Sequence, residues 1–488
     1  MSKETHTGAK ARRFLFWLSM VLTALPVAGH VGSPDVFYEG DAGPYHLFVV
    51  VRVPQVIPGV AEVEVRSSSL GVEEVRILTL RLAGAGAELA PTPEKIERYK
   101  QDPQWFTGSL WFMESGALQI RVQVSGAKGK GELAVPVPAM AQRKLPMAKP
   151  LATGLFALLL LLTLSALAIV VAGAREASLA PGESPSAADQ RRARRVMLVA
   201  SITLFAFLYL GKKWWNVDDA AAAARIYKPP HMSAILEGGN RLVLTTIGVD
   251  YLSDLIPDHG HLMHLFLIRM PGMDHFAHLH PDQASGGQFT AQLPSMPTGH
   301  YQVFADIVHQ SGFPATMLGE VDLPDISGKS ANGDDCEWSG APINTSAIDM
   351  NVSQLPDGGR MVWERRGTLL KAGVPAVFRF RIQDKNGDPA SNLEPYMGMA
   401  GHAEFVRSDL TTFAHVHPAG SVSMAALSLA QEGLQGPGSA PSEMAMPMSL
   451  SPEISFPYGF PRPGDYRIFV QIKRAGRVET GVFDAHVN

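Results

Sequence analysis

Two six-residue phrases, FAHLHP at Phe276–Pro281 and FAHVHP at Phe413–Pro418, carry the chemistry most directly readable in this chain. Each sets two histidines at positions i and i+2, and residues so spaced on a β-strand project from one face. A third histidine stands upstream of each phrase, His264 at 14 residues before His278 and His402 at 13 before His415. If the strand holding the upstream histidine pairs with the strand holding the phrase, three imidazoles converge. Neutral imidazole suits copper and zinc, and copper(II) binds most tightly of the common divalent ions. The candidate ligands are therefore His264, His278 and His280 in one copy and His402, His415 and His417 in the other. A bare His-x-His pair also fits a polar pair facing solvent; duplication with a third histidine in register favours metal. Pro281 and Pro418 should end their strands or mark a sheet edge, where a site stays open to solvent.

Methionines extend the set. YMGMAGH puts Met397 and Met399 just ahead of His402, and EMAMPMS puts Met444, Met446 and Met448 at alternate positions of a Pro/Ser-rich insertion. Thioethers favour copper(I), which tilts the expected cofactor to copper, with zinc as the alternative. A Met-rich loop also serves as an adaptable apolar contact surface. PDHGHLMH supplies Asp258, His259, His261 and Met263 as further polar candidates, and ADIVH supplies Asp306 and His309. His275 and His300 read as loop residues and His486 as part of the last strand, none of them expected to bind metal.

The elements that must position these side chains are strands. The flanking text repeats as well, MHLFLIR beside GHAEFVR and TGHYQVFADI beside PGDYRIFVQI, so 231–325 and 346–488 read as tandem β-sandwich copies. A Gly/Ser/Asn/Asp-rich linker is expected over 326–345. It holds the one cysteine, Cys336, which has no intrachain disulfide partner and reads as incidental. Residues 30–145 carry further short alternating runs bounded by Gly, Pro and Ser, the pattern of an immunoglobulin-type sandwich, with PEKIERYKQDP as a possible short helix. No catalytic constellation stands out there. The expected fold class is mainly β: three immunoglobulin-like β-sandwich domains, with a two-helix transmembrane hairpin between the first and second.

At 488 residues the chain exceeds one ordinary core, and its net charge of −4, well mixed, gives no argument for nucleic acid. Residues 1–29 read as a signal peptide, with Lys10, Arg12 and Arg13 ahead of an apolar run and Ala28 and Gly29 after it. An uncleaved anchor helix is the competing reading. Cleavage after Gly29 would expose His30, whose amine and imidazole could hold copper with a histidine such as His46. Residues 151–173 and 196–213 are the expected membrane spans. Lys212 and Lys213 can snorkel, and Trp214 and Trp215 suit an interface. Five arginines between the spans mark 174–195 as the cytoplasmic loop, placing both folded parts on the extracytoplasmic, periplasmic side of the inner membrane.

NGDPASNLEPYMGMAGHAEFVRSDLTTFAHVHP, followed by FPRPGDYRIFVQIKRAGRVETGVFDAHV, resembles the YtkA-like domain of exported bacterial proteins. The resemblance covers 375–488, with a divergent copy at 232–325, and leaves 30–230 uncovered. It implies a sandwich like that of CopC-type copper-resistance proteins and a role in metal handling. The family's Met-Gly-Met…His segment falls on Met397, Met399 and His402, and its His-x-His-Pro on His415, His417 and Pro418. The first copy has DHGHLMH where Met-Gly-Met would stand, which weakens the carry-over there.

The resulting expectation is a membrane-anchored, extracytoplasmic metal-binding protein for copper delivery, sequestration or sensing. Its partners would be the lipid bilayer and a membrane or periplasmic protein, with no nucleic acid. The alternative is a metal-free interaction or assembly module of a membrane complex. A copper oxidoreductase would need an open coordination position and a substrate cleft. No nucleophile–base set, phosphate loop or acid/base carboxylate pair argues for an enzyme.

Overall fold

The computed structural model describes residues 35–84, 86, 89–248, 251–284, 287–344, 351–365, 369–435 and 450–488. The signal segment, His30, Met444, Met446 and Met448 lie outside the described residues. The chain is mainly β, with two long helices between the first and second β regions. The described β regions form one compact unit, and residues 54–59 with 140–228 form another.

In that second unit the helices Lys149–Glu176 and Ala187–Ala224 are both long and apolar enough to cross a membrane. Pro150 opens the first, where a missing N–H costs nothing. Ser186 caps the second: its hydroxyl accepts from the Asp189 N–H, and the Asp189 carboxylate accepts from the Ser186 N–H. Alanines 220–224 prolong that helix beyond the apolar run, and Pro229 and Pro230 follow its end. Large side chains such as Phe156, Leu161, Phe205 and Phe207 lie exposed on the helix surfaces.

The first β region holds a five-stranded sheet (Val36–Ala42, Tyr45–Arg52, Gly59–Ser67, Trp105–Phe112 and Glu97–Arg98) and a four-stranded one (Glu94–Lys95, Val72–Arg81, Gly116–Gly126 and Gly129–Ala139). Alternation sets the faces: Ala61, Val63 and Val65 are buried while Glu62 and Arg66 are exposed. The expected short helix is absent from PEKIERYKQDP. Glu94–Lys95 and Glu97–Arg98 instead pair with opposite sheets, and buried Ile96 pins the crossing through its N–H to the Val75 carbonyl. Pairing at two sheet edges outweighs an isolated helical turn, which is costly to nucleate.

The two later β regions repeat one plan. In the first copy a sheet runs Pro314–Leu323, Gly299–Val308, His264–Met270, His275–Leu279 and Cys336–Ser339. In the second, Arg477–Val487, Gly464–Arg474, His402–Arg407 and Phe413–Val416 neighbour one another in the corresponding order. A four-stranded sheet covers the inner face of each. The stretch expected as a linker adds an edge strand, Cys336–Ser339, because its backbone pairs with His275–His278 and its Cys336 side chain is buried.

Strand alternation explains where the histidines go. In His264–Met270, Leu265 and Leu267 enter the first copy's own core, while Phe266 and Ile268 join a second cluster. In His402–Arg407, Ala403 and Phe405 face inward and Val406 joins that same second cluster. The outer faces of the two sheets therefore pack together. Phe276 stacks on Phe469 at 4.3 Å and Phe304 on Phe413 at 4.2 Å, a reciprocal pair of contacts between equivalent residues of the two copies. Burying one such ring fully is worth about 1.5–3 kcal/mol.

Candidate metal centre

Next to these stacked rings the same outer faces carry eight histidines: His259, His261, His264, His278, His280, His402, His415 and His417. The sites expected to stay open to solvent are buried instead, His278 and His417 almost completely, because the outer face of each copy covers that of the other.

In the first copy the three histidines converge as their spacing requires. His264 Nδ1 lies 3.2 Å from His278 Nε2 and 3.2 Å from His280 Nε2. The outer nitrogens all meet acceptors: His264 Nε2 the Asp258 carbonyl, His280 Nδ1 the Asp335 carboxylate and His278 Nδ1 the Gln471 side-chain oxygen. Oxygen acceptors behind each ring favour the tautomer with its proton on the outer nitrogen and its lone pair on the inner one. Metal–nitrogen bonds of about 2.0–2.1 Å at tetrahedral angles place nitrogens about 3.3 Å apart, close to the spacing here.

In the second copy the grouping differs from expectation. His402 and His417 join His259, which comes from the first copy, and the ligand atoms of this set lie within 4.8 Å of one another. His259 Nε2 is 3.3 Å from His417 Nε2. His259 Nδ1 donates to the Met397 carbonyl and His417 Nδ1 to the Val422 carbonyl, so these two Nε2 atoms also face each other unprotonated. Both ring nitrogens of His402 are buried without a partner. His415 lies in neither set of three.

His259 reaches across because of a tight turn. Asp258 and His261 exchange both backbone hydrogen bonds, with φ of 53° at His259 and 85° at Gly260. Tyr396 and Met399 do the same, with φ of 49° at Met397 and 75° at Gly398. Two successive positive φ values define a mirror-image turn that glycine tolerates best. His259-Gly260-His261 and Met397-Gly398-Met399 are thus one turn in two copies, and Met397 and Met399 are buried beside the histidines. The turns engage reciprocally: Asp258 accepts from the Ala425 N–H of the second copy, and Tyr396 donates to the Asp334 carbonyl next to the first.

Burial holds the His264, His278, His402 and His417 rings far below the ordinary imidazole range, and neighbouring imidazoles push them down further. His259 shifts the same way, chiefly by burial. These rings stay neutral, the form that binds metal. Glu404, on the same face as His402, is fully buried with both oxygens unpartnered, and burial, then Asp306, push its carboxyl well above the usual carboxylate range. His261 stacks on His280 at 3.9 Å and stays partly exposed, with Asp334 3.7 Å from its Nε2.

The remaining candidates lie apart. His46 is held by Asp41 and Glu39, His300 by Asp322, His309 by Asp254 and His486 by Asp465, in surface pairs. His275, expected in a loop, begins a strand and bonds Ser339. Cys336, expected to be incidental, accepts from the Gln471 amide that also holds His278. Asp306 stands 3.4 Å from His415 Nδ1. Pro281 and Pro418 do follow strand ends, at Leu279 and Val416, but the histidines beside them are enclosed by the second sheet.

A family model described as a domain of unknown function, DUF8832, matches residues 354–488, the segment that carries the YtkA-like resemblance. No curated protein matches the chain. Among solved structures, a 1.5-MDa bacterial ice-binding adhesin aligns at 7% identity over 92% of this chain and 99% of its own, with a TM-score of 0.14. A Salmonella alpha-2-macroglobulin aligns at 10% identity over 95% of this chain and 24% of its own, at 0.17. Invasin, a bacterial integrin-binding protein, aligns at 10% identity over 90% and 60%, at 0.14. At these TM-scores the likeness carries no argument about fold or function.

Proposed function

We propose that this chain is a membrane-anchored metal-binding protein that handles copper on the extracytoplasmic side of the inner membrane. The observation that carries the reading is the first triad: three buried imidazole nitrogens within 4.8 Å of one another, each ring fixed from behind by an oxygen acceptor on its other nitrogen. Lone pairs gathered in a buried site repel one another unless a cation sits among them. Second-shell partners of this kind orient metal-bound histidines. All-imidazole sets suit copper and zinc, and the buried Met397–Met399 turn beside them favours copper. The YtkA-like resemblance of the second copy agrees with a role in metal handling.

The exposed apolar helices support a bilayer as one partner, and the arginine-rich connection supports an extracytoplasmic site. A membrane or periplasmic protein would be the donor or acceptor of the ion. The test is titration of the detergent-solubilised full chain with Cu(I), Cu(II) and Zn(II), beside His264→Ala and His402→Ala. Two ions per chain are expected, falling to one in either variant. A wild-type chain that takes up no more copper than a protein with only surface histidines would overturn the reading.

A further inference from the structure

Resting on that metal-binding reading, we propose that His415 is a shared fourth ligand, taken by whichever triad fills first, so that the two sites are negatively coupled. The repeat assigns His415 to the second copy, since it corresponds to His278 of the first. Its ring centre lies 5.3 Å from that of His402 and 4.7 Å from that of His417. It lies nearly as close to the opposite triad, at 5.5 Å from His264 and 5.8 Å from His278. Its side chain is only 6% exposed, and its Nε2 is buried with no hydrogen-bond partner. A buried polar atom without a partner is costly unless something fills the place.

The other nitrogen explains why the ligand is shared and not bridging. His415 Nδ1 faces the Asp306 carboxylate of the first copy, which is itself fixed by the Thr316 hydroxyl. The equivalent contact in the first copy joins His278 Nδ1 to Gln471. With Nδ1 committed to a carboxylate, His415 has one lone pair to give. An imidazolate bridge between two ions would need both nitrogens, so His415 serves one ion at a time. The first ion then takes four nitrogens, a triad plus His415, and the second is left with three. Asp306 is a positioning residue for this choice.

The experiment measures the two stepwise affinities of the detergent-solubilised full chain for Zn(II) and Cu(II) by chelator competition, with wild type, His415→Gln and Asp306→Asn. His415→Gln should weaken the first step on the order of 10- to 100-fold, the range for losing support at a metal site. The second step and the total of two ions should stay as in wild type. Asp306→Asn, which keeps the ring, should weaken the same step by less. At one equivalent of Cu(II), nitrogen superhyperfine structure should report four nitrogens in wild type and three in His415→Gln, a readout that a merely structural role would not move. Unchanged constants in both variants, or equal losses at both steps, would overturn the sharing of His415. Wild type that binds neither metal would instead sink the metal reading beneath it.

Discussion

The protonation of the histidines can be tested one residue type at a time. His259, His264, His278, His402 and His417 are weaker bases in the folded chain, their pKa values lowered chiefly by burial, so acid protonates them in the unfolded chain first. Wherever the unfolded state binds more protons, stability falls with falling pH. The metal-free protein should therefore lose stability as pH drops through the ordinary imidazole value of 6.5. His261 and His275 shift down as well and act in the same sense. Glu404, Glu337, Glu479, Asp35 and His46 shift up and act in the opposite sense, but of these only His46 is an imidazole, set against seven lowered ones. A thermal midpoint that stays level from neutral pH down to about pH 5, below the ordinary imidazole range, would contradict this. At this scale the sequence was informative but incomplete. The period of two and the upstream histidine brought His264, His278 and His280 together. His259 was a candidate by type alone, and nothing in its own copy placed it with His402 and His417.

At the scale of the element, the deciding device is the turn before each upstream histidine. DHGH and YMGM differ in three of four positions, so the text conceals that they are one turn; only the shared Gly260 and Gly398 signal it. Both glycines have open space where a Cβ would go, so alanine there meets no clash and costs only the positive φ. Gly260→Ala is expected to destabilise the metal-free chain by about 1 kcal/mol and to displace His259. Ion binding at the His259–His402–His417 set should weaken while the first triad keeps its affinity. Equal metal affinity at both sites in that variant would show that the turn does not position His259. In PEKIERYKQDP the text is likewise silent on the partners: Glu94–Lys95 pairs back with Arg76–Ile77 and Glu97–Arg98 pairs forward with Phe106–Thr107, so one short segment crosses between two sheets.

Across the whole molecule, the feature that local patterns could not reveal is that two repeats close on each other. Alternation in HLFLIRM and HAEFVR is legible as strand, yet every residue from His264 to Ile268 and from His402 to Val406 is buried. A strand hidden on both faces means a second layer, and here that layer is the other copy. Closure turns two open-looking His-x-His faces into one enclosed cluster. It also lets His259 and the Asp258 and Tyr396 contacts cross between copies. The helices, by contrast, are legible from composition, because their uncharged runs are long and apolar enough to cross a membrane whatever the rest of the chain does.

The most direct test of the central claim is anomalous diffraction at the copper edge from crystals of the copper-loaded full chain. Two peaks are predicted, one among His264, His278 and His280 and one among His259, His402 and His417. Peaks only at surface pairs such as His46 with Asp41 and Glu39, or none in the histidine cluster, would contradict the account.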